Sequence, residues 1–79
     1  MLRTAEATKL MERAFELDPR SSIISVALAL IYKTQGLLSL AERQYLDLIA
    51  LDPEFVNAYA LLADLYLTDL GKFEKALAL

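Results

Sequence analysis

LDPRSSIISVALALIYKTQGLLSLAERQYLDLIALDP, residues 17–53, opens and closes on the same tripeptide, and the interval between the two copies decides the fold. Pro19 and Pro53 stand 34 positions apart, as do Tyr32 and Tyr66, while Ala7, Ala41 and Ala76 each open the same short pattern. A fixed period of this size marks a solenoid, in which each unit is one helix pair that buries its apolar face only against its neighbours. The expected function is therefore partner binding, not chemistry.

Working outward, Pro19, Gly36, Pro53 and Gly71 are the only prolines and glycines, and each falls where one periodic apolar segment gives way to the next. Five helices are expected, over about 3–17, 21–35, 38–51, 54–69 and 72–79. In the first, Leu10, Ala14 and Leu17 are expected on one face with Ala7 and Met11 beside them, and Glu6, Lys9, Glu12, Arg13 and Glu16 on the solvated side. In the third, Leu37, Ala41, Leu48 and Leu51 form the apolar face, with Glu42, Arg43 and Asp47 in water. Gly36 and Gly71 fit left-handed helix ends, and Asp18 and Asp52 pair a turn former with the proline that follows. No segment sustains the period-two alternation of a strand.

Composition closes off several functions. The 79 residues contain neither cysteine nor histidine, so no disulfide, thiolate metal site or imidazole base is available. A net charge of −3 without a basic cluster argues against nucleic acid. The longest apolar run, Ile23 to Tyr32, is far shorter than the ~20 residues that span a bilayer. Glu6 also falls where a signal peptide would have its apolar core. The chain reads as soluble; its compartment is left open, with the cytoplasm as the first expectation. At 57% hydrophobic it carries more apolar surface than a small helix stack can hide, so some is left for a partner or further copies.

The chain resembles the tetratricopeptide repeat family. Leu28-Ala29-x-x-Tyr32, Gly36, Ala41-x-x-x-Tyr45 and Leu51-Asp52-Pro53 follow its pattern in the central repeat, and Tyr59-x-x-Leu62-Ala63-x-x-Tyr66 follows it in the last. Ala7-x-x-x-Met11 with Leu17-Asp18-Pro19 resembles the second half of a first repeat. The resemblance implies an all-α, right-handed solenoid of antiparallel helix pairs, about two and a half units in one domain. Residues 1–19 would be the second helix of one repeat, 20–53 a complete repeat, and 54–79 a repeat cut in its second helix. Leu28, Tyr32, Ala41, Tyr45, Leu48, Leu62 and Tyr66 are the expected core.

Two departures bear on packing. Ser25 stands where the family has a large aromatic, so the central repeat should pack loosely there. Gly36 and Gly71 are 35 apart, so one residue is inserted between Tyr66 and Gly71, lengthening the helix or widening its turn. The ends carry no polar cap, which suggests a piece of a longer array or a chain that associates. The pentatricopeptide repeat, an RNA reader, has a similar period, but the acidic charge and the Leu-Asp-Pro junctions speak against it.

No catalytic, cofactor or metal residue is assigned. Asp18, Asp52 and Glu54 suit helix junctions better than a cation site, which needs six or more converging oxygens. Asp64 and Asp69 lack a cleft, and the serines and lysines lack an activating partner. Tyr32 and Tyr66 read as packing residues whose hydroxyls find a partner. What remains is a stripe of Ile23, Val26, Leu30 and Lys33, with Asn57, Ala60, Asp64 and Leu67 as its counterpart one repeat on. The resemblance implies that these slots line a concave groove for a peptide or partner helix. The carboxylate clamp of the family's chaperone-tail binders is missing. Self-association is the alternative reading, through Phe73, Leu77 and Leu79 at one end and Leu2, Leu10 and Met11 at the other, as a homodimer or head to tail.

Overall fold

Four α-helices follow one another in the computed structural model, which describes residues 4–69 and the side chains of residues 5–67. They are α1 (Thr4–Leu17), α2 (Ser22–Thr34), α3 (Leu38–Leu51) and α4 (Val56–Asp64), and a π-helical turn, Leu65–Asp69, continues α4. No strand occurs among the described residues. The helix expected over 72–79 lies outside them.

The Asp-Pro junctions build the same turn twice. The Ser21 N–H donates to the Asp18 carbonyl at 3.2 Å, and one period later the Phe55 N–H donates to the Asp52 carbonyl at 3.1 Å. Proline in the second position fixes φ for such a turn and leaves no stranded N–H. The N–H groups of Asp18 and Asp52 reach back to the Ala14 and Leu48 carbonyls, closing α1 and α3. At the start of α2 the Ser21 hydroxyl then accepts from the Ile24 N–H, satisfying one of the helix's open donors. Phe55 cannot do this for α4, which begins without a side-chain cap.

The α2–α3 link uses glycine for a stated reason. Gly36 has φ +77°, with its N–H on the Lys33 carbonyl and the Leu37 N–H on the Tyr32 carbonyl. This paired closure of the last helical turn requires a left-handed residue, which glycine adopts without steric cost. With so short a link, α3 folds back along α2.

Packing follows chain order: α1 on α2, α2 on α3, and α3 on α4 and the π turn. Small residues set the approach distances. Ala29, Ala41 and Ala58 are fully buried, and Leu28, Tyr45, Leu62 and Leu65 fill the space beside them. All seven expected core residues are buried.

Both repeat tyrosines point their hydroxyls at carboxylates. Tyr32 donates to Glu12 Oε2 at 2.7 Å, and Tyr66 hydrogen-bonds Glu42. Burial, reinforced by the adjacent carboxylate, pushes each phenol up to about 12. Glu12 and Glu42 therefore do not stand free on solvated faces as expected. They supply the polar end of a buried aromatic.

Two apolar faces also differ from expectation. On α1 the packed side is centred on Met11 and Phe15, while Leu10 and Leu17 are 67% and 73% exposed. At 100° per residue Leu10 and Leu17 point more than a quarter-turn away from that centre, on the side that α2 does not reach. On α3, Leu37 and Leu51 are exposed, and Gln44 and Tyr45 take the buried places. Leu37 precedes the helix and Leu51 ends it, so both fall at the margins of the packed face.

The inserted residue has a visible counterpart. A π turn holds one residue more than an α turn in the same axial space, and the π turn, Leu65–Asp69, overlaps the segment where the period lengthens.

Candidate partner-binding groove

Between α2 and α4 the surface opens into a groove of about 480 Å³. Ile23, Val26, Ala27 and Leu30 form one wall, and Phe55, Asn57, Ala60 and Leu61 the other. The walls come from α2 and α4, each of which packs on α3. Ala27 and Ala60, one on each wall, have side chains too short to reach across it. The rim is apolar and wet, with Ile23 80% and Leu30 40% exposed.

Five of the eight residues expected to line a groove are gathered here: Ile23, Val26, Leu30, Asn57 and Ala60. Lys33 and Asp64 are not on the lining. They lie one turn beyond Leu30 and Ala60, and pair with each other, Nζ to Oδ2, at 3.1 Å. Partly exposed, this pair ties α2 to α4 and contributes at most about 1 kcal/mol. Leu67 is exposed in the π turn beyond Asp64, also off the lining. Ala27, Phe55 and Leu61 were not expected. Phe55 sits in the turn before α4, outside any helical stripe, and Ala27 and Leu61 flank Val26 and Ala60 on the side turned toward the opposite helix. The phase of the stripe could have found the last two; only the Asp-Pro turn could have pointed to Phe55.

None of the lining side chains titrates, so the groove holds no general acid, base or nucleophile. Asn57 is its one polar side chain, and it offers both a donor and an acceptor. An apolar trough with a single amide can take aliphatic or aromatic side chains and fix the direction of a backbone beside them. Among the described residues no group of acids or imidazoles could hold a metal ion, and no helix is long and apolar enough to cross a membrane. Phe73, Leu77 and Leu79, the residues expected to mediate self-association, lie outside the described residues, as does Leu2.

Residues 44–78 match the family model described as tetratricopeptide repeat. No curated protein and no solved structure matches the chain. Repeats of this family are typically non-catalytic modules that generally mediate protein–protein interaction.

Proposed function

We propose that this chain, a member of the tetratricopeptide repeat family by its residues 44–78, binds an apolar peptide or partner helix in the groove between α2 and α4. The observation that carries the reading is the exposed apolar lining: Ile23, Val26 and Leu30 face Phe55 and Leu61 across a trough wide enough for side chains from another polypeptide. The surrounding frame is a right-handed solenoid of two and a half units, divided at residues 19 and 53, with α2 and α3 as its complete central repeat. Asn57 holds the ligand's backbone, and the Lys33–Asp64 pair closes one end without leaving a net charge.

Anchors of this kind act by leaving water, at ~0.8 kcal/mol for each methylene buried. Ile23→Glu and Leu30→Glu should each weaken binding of an amphipathic helical peptide at least tenfold, about 1.4 kcal/mol. Both positions are exposed, so the circular dichroism of the free chain should not change. Fluorescence anisotropy across a panel of apolar peptides tests this. Absence of millimolar binding to every member, or unchanged affinity in both variants, overturns the reading.

A second reading is self-association, in which another copy supplies the apolar surface. It is favoured by Leu10 and Leu17, which leave the outer side of α1 apolar and wet. Sedimentation over a range of concentrations separates the two, since a chain that stays monomeric throughout leaves the groove to a different partner.

A further inference from the structure

On the other side of α2 a second cleft, of about 150 Å³, lies between the end of α1, the start of α2 and the end of α3. It shares no residue with the groove. Its walls include Phe15, Pro19, Gln44, Leu48 and Leu51, and Ser25 is 3% exposed at its base. The internal repeat shows what such a place holds. One period on, Ser25 becomes Tyr59 and Pro19 becomes Pro53, and the Tyr59 hydroxyl donates to the Pro53 carbonyl at 3.1 Å. In the central repeat the six-residue spacing between proline and aromatic slot is unchanged, but the ring is missing. A cleft of this volume, walled on its apolar part by Phe15, Pro19, Leu48 and Leu51, is of the size that accepts a single aromatic ring.

We propose that this cleft is a binding site for a phenol ring, filled by a tyrosine side chain from another polypeptide. The ring packs on Phe15, Leu48 and Leu51, the apolar residues present, and the hydroxyl donates to the Pro19 carbonyl as Tyr59 does to Pro53. Gln44 and Asp47 at the polar edge favour a ring that carries a hydroxyl over a bare hydrocarbon. The site is independent of the groove and stands whether or not the groove binds a peptide.

The test uses the ¹⁵N-labelled full chain with three probes: 4-methylphenol, N-acetyltyrosinamide and N-acetylphenylalaninamide. The first two should shift Phe15, Ser25, Gln44 and Leu48 amides together, with Kd on the order of 1 mM for so few atoms. The tyrosine amide should bind roughly 3- to 10-fold tighter than its phenylalanine counterpart, the worth of one net hydrogen bond. Ser25→Tyr, which supplies the ring internally, should abolish all three responses and raise the unfolding midpoint. Ser25→Leu is a second filled variant, expected to block binding without supplying the hydroxyl. No shifts at these amides, or shifts that persist in both variants, overturn the site. Binding of 4-methylphenol without N-acetyltyrosinamide overturns the polypeptide source, and equal affinity for the two amides overturns the carbonyl contact.

Discussion

Tyr32 and Tyr66 occupy equivalent slots 34 residues apart, yet their carboxylates are not equivalent: Glu12 lies 20 residues before one, Glu42 24 before the other. The slot is periodic because it is set by helix packing, whereas the acid has only to fall within reach of a hydroxyl, and one helical turn either way suffices. Both phenols are raised to about 12, so the fold favours their protonated form. Their contribution is complete below pH 10, the ordinary tyrosine value, and is lost as pH rises from about 10 through about 12. Absorbance titration of the native chain should show Tyr32 and Tyr66 ionising near 12, and denaturant midpoints should fall over the same interval. In the Tyr32→Phe, Tyr66→Phe double variant that fall should flatten; an unchanged slope would mean that these phenols are not held as described. Ala41 makes a different demand. It is fully buried where α3 meets its neighbours, and Ala41→Leu should cost roughly 1–3 kcal/mol through overpacking, measured by chemical denaturation. A loss of only a few tenths would place Ala41 outside a helix contact.

At the scale of elements, what the sequence made legible was whatever depends on spacing. The bounds of α3 are those expected, because Gly36 and Asp52-Pro53 stop the chain on both sides of it. The lengthened period between Gly36 and Gly71 was readable as an insertion, and the π turn at Leu65–Asp69 is the form it takes. Which side of α1 faces inward was not legible, since Leu10 and Leu17 have as good a helical spacing as Met11 and Phe15. The choice is made by where α2 lies, and Phe15, the larger anchor, wins the contact. The groove was legible in part for the same reason: the stripe from Ile23 to Leu30 has a period, whereas Phe55 enters from a turn that has none. The π turn can be tested by length alone. Deleting Thr68 brings Gly36 and Gly71 to the common period, and should let α4 continue as an α-helix with a higher unfolding midpoint. A variant that loses helical content would show that the extra residue is required where it is.

For the molecule as a whole, the balance of buried and exposed apolar residues is the informative quantity. The core is continuous from α1 to the π turn, and its small residues at the close approaches leave little freedom in how adjacent helices pack. Yet Ile23, Val56, Leu10 and Leu17 are each more than two-thirds exposed, and the groove gathers the first of these with Val26, Leu30 and Phe55 into one surface. A folded chain gains nothing by leaving such a surface wet, which is the physical ground for assigning it a polypeptide ligand. The measurement that tests this most directly is an NMR titration of the labelled chain with its tightest-binding amphipathic peptide. The expected result is a set of shifts confined to Ile23, Val26, Leu30, Phe55, Asn57, Ala60 and Leu61, with the amides around Ser25 and Gln44 unmoved. Shifts centred instead on Leu10 and Leu17, or none at saturating peptide, would contradict the account.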